Sequence, residues 1–565
     1  MPRKTAPKNL RKRTAAAEYD VAVLGAHLTG GLLAAIIARR GVRTVLVDTA
    51  EDRARPAGES TVPYTSEVFS LLAERFEVPE IATFAHFTDL PEEVRRASGV
   101  KKSLGFLHHD PGREQDARKA IQFNVPGEHT EWHLYRPEAD AYACRIAATH
   151  GAHIDEDRSP LAKVDLAEDR TALVLENGRT LSARYVVDAS GPGSPLLAAA
   201  GVGPAESVRT PLRSRLLSAH FTGVRPFESV LPLARYPGAT AWSHGSFHHV
   251  FDGGWIQVVS FDNHEGARNG LCSVTVSVCP EKFADLPEDP EDAFRALIGR
   301  YPSIAGQFVS ARTTTPWAHE KQWQWRAERT TGPRWLAIGR AACRAEEVLA
   351  RDVTVGMEMV HSTAAALLRV VVDPEQEDAE FTRVADFQDH LIDFNDRLQM
   401  GLRTAGNHFQ LLNAYLRIWL LWQILADLSL KRARLDCEHV PEDSWSAVER
   451  FDSELWFRTP EGLPRALRHL FDQMDAVRAG RSTAVGAARG IFSWLRGERF
   501  VPPLYRFAEP RDRVYTFTLR RRMLMLLWAK TVAPADFRRL LTQDNVTGRR
   551  DDAPPVTAGR AQTEV

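Results

Sequence analysis

YDVAVLGAHLTGGLLAAIIARRGVRTVLVD, residues 19–48, decides the fold, because it reads as strand, glycine turn, helix, strand and terminal acid in one uninterrupted run. The apolar residues Val21 to Leu24 suit a buried parallel strand. Gly25 permits a tight turn, and Gly30 and Gly31 let the following helix pack close to the sheet. A helix that starts there points its unpaired N–H groups and the positive end of its dipole at a pyrophosphate. Asp48, at the end of the second strand, can accept hydrogen bonds from adenosine ribose hydroxyls. His27 stands where the GxGxxG pattern has its second glycine, so backbone and phosphate approach each other less freely.

An ordinary parallel unit without a ligand carries much of this pattern, and two later segments shift the balance. Residues 179–191 place an apolar strand before the small-residue turn Asp188-Ala189-Ser190-Gly191. Residues 335–342 place another before Gly339-Arg340-Ala341-Ala342. Backbone at such strand ends lies against a dinucleotide.

With 565 residues the chain buries a large core and exceeds one ordinary domain. Its 72 basic and 73 acidic residues nearly cancel, giving no electrostatic case for nucleic acid. Five cysteines without a CxxC pair speak against zinc and against a disulfide framework, and the cytoplasm fits. Residues 1–18 are basic, lack an apolar segment and read as a disordered tail. The longest apolar stretch, Leu411–Leu430, contains Asn413, Arg417, Gln423 and Asp427, so it reads as a buried or lid-like helix and not as a membrane span.

Strand patterns such as Trp255–Phe261 and Cys272–Val278 interleave with the nucleotide-binding pieces, which makes the cofactor domain discontinuous. Its parts are 19–100, 136–210 and 331–375, and a β-rich substrate domain occupies 101–135 and 211–330. From 376 to 547 the pattern is helical and aromatic-rich, with helices expected over Phe381–Leu435 and Pro464–Ala479. Residues 548–565 read as a second disordered tail.

Gly25/Gly30, Gly58-Glu59-Ser60-Thr61-Val62-Pro63, Lys101, Asp188–Gly191, Gly254-Trp255 and Gly339–Ala342, in this order, resemble the flavin-dependent halogenases, within the wider FAD monooxygenase-like group. The resemblance covers roughly residues 19–430. It implies an α/β fold: a Rossmann-type FAD-binding domain with an inserted β-rich substrate domain and an α-helical C-terminal domain. It also implies FADH2 from a separate flavin reductase, O2, and chloride or bromide as co-substrate. Hypohalous acid then reaches a lysine beside an electron-rich aromatic or phenolic natural-product precursor, free or tethered to a carrier protein.

On that resemblance the catalytic candidates are Lys101 and Glu59. Lys101 precedes Phe106 at the family's spacing, as if on one strand, and an ammonium there can polarise HOCl or, deprotonated, form a chloramine. Lys102 would face the other way. The cofactor-binding candidates are Gly25, Gly30, Gly31, Asp48, Gly58, Ser60, Arg136, Asp188, Gly191, Gly339, Thr354 and Gly356. Glu59 reads equally as a surface glutamate capping the next helix. Arg136 also suits a helical ion pair with Asp140. Thr354 and Gly356 suit a small-residue turn at a helix N-terminus, where N–H groups could take halide or the flavin edge.

Two departures matter. The family's GWxWxIP becomes Gly254-Trp255-Ile256-Gln257-Val258-Val259-Ser260, so the second tryptophan is Gln257. Arg340 replaces an expected aspartate, and Ala350-Arg351 replaces Asp-Pro, with Asp352 or Glu346 as candidate replacement carboxylates. A hydroxylase or epoxidase on the same scaffold, and a degenerate FAD-fold binding protein, are therefore the competing readings. The histidines of the β-rich regions, His108, His109, His248, His249 and His264, fit aromatic packing better than catalysis. Trp317, Trp323 and Trp325 are candidates for an aromatic cavity wall, equally well placed as core.

Overall fold

The structure, a computed structural model, describes residues 18–541 except 50–57, 126–130, 155–158, 192, 206–211, 345–347, 439–444, 446, 450 and 452–454. Both expected tails, save residue 18, and Glu346 lie outside the described residues. The opening unit forms as its spacing predicts: β1 (Tyr19–Leu24), α1 (Leu28–Arg39) and β2 (Thr44–Val47). In an eight-stranded sheet, β1 lies between β2 and Thr180–Asp188, parallel to both. Trp335–Ala337 and His153–Ile154 continue the parallel core on either side. Such strands are covered on both faces, which is why their sequences run apolar without alternation.

Gly30 and Gly31 do different jobs. A Cβ on Gly30 would stand 2.0 Å from the Gly25 carbonyl oxygen, so Gly30 serves the turn itself. A Cβ on Gly31 would meet the backbone of Ala143 at 3.0 Å, so Gly31 lets α1 cross a second helix and not, as the motif suggests, the sheet.

Chain order continues with α2 (Pro63–Phe76), α3 (Glu92–Ala97), β3 (Gly99–Lys101), β4 (Ser103–His108), β5 (Ala120–Asn124), β6 (Glu131–His133) and α4 (Arg136–Thr149), the helix that Gly31 meets. The substrate region builds a nine-stranded sheet in which β4 and β5 extend Arg215–Thr222, Cys272–Val278, Gly254–Ser260 and Ser246–Phe251. β3 is not part of it. It pairs only with β6, as a two-stranded ribbon, and this breaks the expected single strand from Lys101 to Phe106. The edge strand Val514–Tyr515, beside β5, comes from the region expected to be purely helical.

The expected helix Phe381–Leu435 is two helices, Glu377–Gly406 and Phe409–Glu438, broken at Asn407-His408. Leu411–Leu430 lies in the second, with Trp419 and Trp422 buried. Among the described residues the helix with the length and hydropathy to cross a bilayer is instead Arg351–Val372, most of which is buried inside the fold. One apolar cluster runs from Val21 and Leu32 through Tyr64 to Trp422 and Phe471, so the nucleotide-binding layer and the C-terminal helices share a core. Inside it Arg351 donates to Glu358 at 2.9 Å and to Asn395 at 2.7 Å, while Tyr64 donates to Glu358 at 2.6 Å. Removing either charge would strand the other in a dry interior.

The histidines of the substrate region pack as expected. His248 stacks on Phe106 at 4.9 Å, and His109 bonds His249 at 2.8 Å. Burial holds His248 down to about 3, and His108 and His249 to about 4, so all three are neutral in the fold. Unfolding raises each to its ordinary value near 6.5, so below that pH the unfolded chain binds more protons and stability falls with pH. Each histidine then costs up to about 1.4 kcal/mol per pH unit. A denaturation midpoint markedly lower at pH 5 than at pH 7 is expected, and equal midpoints would refute this burial.

Candidate active site

The N-terminus of α1 gathers most of the predicted nucleotide-binding residues. Gly25 has φ +102°, and a Cβ there would meet the backbone of Ser190 at 3.0 Å. Cβ atoms on Gly339 and Gly356 would approach Thr29 at 3.5 and 3.1 Å. The turn Asp188–Gly191 is therefore adjacent to Gly25, and Gly339 and Gly356 flank Thr29. Asp188 does not reach outward: its carboxylate accepts from the hydroxyls of Ser190 and Ser194 and from Ser190 N at 2.8 Å. It thereby shapes the turn beside Gly25. His27 closes part of the cradle, donating Nε2–H to the Ala189 carbonyl at 2.9 Å and accepting from Thr29 N at 3.3 Å. Leu28 N is taken by Asp140 at 2.9 Å, and Asp140 also holds Arg136 at 2.9 Å, the i,i+4 pair the sequence suggests. Asp48 is buried just beyond β2.

Residues 58–62 run from this cradle to the substrate sheet, and each successive side chain is pinned elsewhere. Gly58, with φ +66°, leaves room for Asp352, whose carboxylate oxygen would lie 2.5 Å from a Cβ. Glu59 is not a surface cap: it is buried, and both its oxygens accept from His220 Nε2, at 3.0 and 3.1 Å. Ser60 bonds Ser246 at 2.8 Å. Thr61 donates to Glu131 at 3.1 Å, and Ser66 adds a donor to the same carboxylate at 3.1 Å.

Lys101 ends in this loop. Its side chain is buried, with Nζ donating to Ser60 Oγ at 2.9 Å and to the Thr61 carbonyl. Desolvation pulls its amine below the usual lysine range, partly offset by Glu131, its register partner across the β3–β6 ribbon. Burial pushes Glu131 up in turn. Lys102, on the opposite face, is exposed, in keeping with strand alternation. Motif reading missed His220, Glu131, His133 and Ser246. Glu131 and His133 alternate around Trp132 in a strand pattern, but nothing local announces which lysine that strand faces.

A family model described as an FAD binding domain matches residues 18–269. Tetracycline 7-halogenase of Kitasatospora aureofaciens is 28% identical over 530 residues, covering 93% of this chain and 95% of that protein. Monodechloroaminopyrrolnitrin halogenase PrnC of Pseudomonas fluorescens is 26% identical, covering 92% and 93%. The crystal structure of halogenase PltM with phloroglucinol and FAD superposes with a TM-score of 0.81 at 24% identity, over 88% of this chain and 99% of that one. Over nearly its whole length the chain is similar to flavin-dependent halogenases. It is accordingly an oxidoreductase whose cofactor is FAD.

The departures from the halogenase signatures now have physical partners. Arg340 is bound to Asp352 by three contacts of 3.0–3.2 Å, so a carboxylate returns to the site on a different element. Ala350 takes φ +54° at the N-cap of helix Arg351–Val372. Thr354 and Gly356 thus lie inside that helix, one turn and more past its start, and not in the expected turn; Thr354 bonds Thr65 at 2.7 Å. Gln257, in the place of the second halogenase tryptophan, faces His248 Nε2 at 3.0 Å. Trp255 is kept, and with Phe106, Val348 and Leu402 it lines an apolar cleft between the substrate sheet and helix Glu377–Gly406. Lys101 is not among the residues lining that cleft. Of the other tryptophans, Trp317 packs on Phe221 in the substrate core, and Trp323 lies under Arg340 and Arg344. Trp325 pairs with Arg344 in a short ribbon and packs against the nucleotide-binding core.

A backbone cradle that admits no Cβ at Gly25 or Gly30, set at a helix N-terminus, fits an FAD pyrophosphate. Gly30→Ala should force the β1–α1 turn open and weaken FAD uptake about tenfold or more, read by flavin fluorescence quenching. Gly203→Ala, where an added Cβ meets nothing within 4 Å, is the control and should bind normally.

Proposed function

We propose that the protein halogenates an electron-rich aromatic or phenolic natural-product precursor in the cytoplasm, using FADH2 from a separate flavin reductase, O2 and chloride or bromide. Gly25, Gly30, Gly58, Gly191 and Gly339 would shape the backbone around FAD, with Asp48 at its ribose, Arg136 beside the Gly58 turn, and Gly31 and Gly356 setting the helix positions around it. The chemistry that bound reduced FAD supplies is the two-electron reduction of O2, which with halide and a proton gives hypohalous acid and water.

The observation that carries this reading is Lys101, a buried amine held by the loop that also lines the nucleotide cradle. As an ammonium it donates a hydrogen bond to hypohalous oxygen and leaves the halogen more electrophilic. As an amine it takes the halogen, releasing water, and passes it to the aromatic carbon, whose displaced proton restores the amine. Low solvent access keeps competing nucleophiles away. Glu59, fixed by His220, is proposed to orient the loop beside the flavin.

Gln257 favours oxygenation as the second reading, because a tryptophan no longer screens that part of the sheet. Supplying FADH2, O2 and bromide to wild type and Lys101→Ala separates the two by mass spectrometry of the product. The expected result is halogen incorporation by wild type and a loss of at least about a hundredfold in the variant, the usual scale for a positioned proton donor. Oxygenated product without halogen, equal in both proteins, would overturn the halogenase reading.

A further inference from the structure

We propose that His133 and Ser246 are positioning residues for Lys101, fixing through a one-way chain of hydrogen bonds the single direction from which its amine can be approached. This deepens the reading of Lys101 given above and rests on it. His133 Nδ1 lies 2.9 Å from the Ser260 carbonyl oxygen, which can only accept, so Nδ1 carries the proton. Burial holds this imidazole down to about 3, so it is neutral and Nε2 is a bare acceptor. Ser246 Oγ, 3.0 Å from Nε2, must therefore donate to it. Ser246 is left to accept from Ser60, 2.8 Å away. Ser60, its own proton spent on Ser246, has only lone pairs to offer the lysine at 2.9 Å.

Nζ has three tetrahedral positions beyond its carbon. Two are N–H bonds fixed on acceptors, Ser60 Oγ and the Thr61 carbonyl. The third holds the extra proton in the ammonium and the lone pair in the amine, and it points away from both acceptors. Halogen transfer to the amine, R–NH2 + HOX giving R–NHX + H2O, needs that lone pair unobstructed. Were Ser60 reversed, its hydroxyl would donate to the lone pair and block it. The titratable groups that bear on Nζ are Glu131 and His133 from β6 and His248 from the neighbouring strand Ser246–Phe251, with Glu67 acting through Glu131. The two histidines are neutral, so the chain acts by direction and not by charge.

The test is a pH titration of Lys101 in the full chain labelled with 15N at lysine Nζ, with exposed Lys102 as internal reference and no flavin present. Ser246→Ala and His133→Asn each free Ser60 to donate to the amine, which stabilises the neutral form. The Lys101 midpoint should fall by about half a pH unit or more in both, with Lys102 unmoved. His133→Gln restores an acceptor for Ser246 and should move the midpoint back. The pH profile of halogen incorporation should shift with the midpoint. Midpoints equal to wild type in folded Ser246→Ala and His133→Asn would overturn the chain. A moved midpoint with an unmoved profile would overturn its role in reactivity. A moved midpoint in a protein that incorporates no halogen would leave the chain standing and remove the halogenase reading.

Discussion

Five consecutive residues, Gly58 to Val62, tie the two sheets of this protein together. Glu59 reaches His220 on one substrate strand, Ser60 reaches Ser246 on another, Thr61 reaches Glu131 on the β3–β6 ribbon, and Val62 leads into α2. The segment is too short to form hydrogen bonds of its own in a helix or ladder. Buried polar groups without partners are costly, so the loop's geometry is dictated by the four elements around it. Lys101 completes the arrangement from below, and the same interactions that hold the loop also strip water from the amine.

The same loop sits where the cofactor layer and the C-terminal helices share one core. α2, which begins at the end of the loop, carries Tyr64 into the Arg351–Glu358 pair, and the helix bearing that pair begins beside Gly58 at Asp352. A shift of the loop is therefore felt at a fully buried ion pair, where the interior has no slack to absorb it. Catalytic geometry and global packing are joined through the first turns of two helices.

How much of this could be read from residues alone follows from how local each feature is. The βαβ unit at residues 19–48 was legible because strand, turn and helix periods are written in adjacent residues, and the strands Gly254–Ser260 and Cys272–Val278 were legible for the same reason. Motif order leaves the burial of Lys101 open, whereas the adjacency of Gly25, Gly339 and Gly356 follows it. The partners of Lys101 do not: Glu131 faces it through a register set thirty residues away, and Ser246 lies farther still. Spacing also misleads where a backbone break is silent in sequence. Lys101 and Phe106 match the halogenase spacing for a lysine and an aromatic on one strand, yet Lys102 N turns to the His244 carbonyl and the chain leaves the ribbon for the large sheet. The carboxylate of Asp188 lies at a strand end, but Ser190 and Ser194, two and six residues on, reach it only once the turn has formed.

The exchange of an aspartate for Arg340 is best understood as a change of carrier and not of charge. Arg136 and Arg340 are two cations, and Asp140 and Asp352 two anions, within one contact chain around Gly58. A lone arginine at position 340 would have placed an unmatched charge beside the buried loop, at a cost of several kcal/mol. With Asp352 accepting three of its contacts, the cluster is neutral, and its other carboxylate, Asp140, accepts from the first N–H of α1 at Leu28. The carboxylate now sits on the first turn of helix Arg351–Val372, where the helix dipole stabilises it, so the substitution is compatible with the anion-binding character of the cradle.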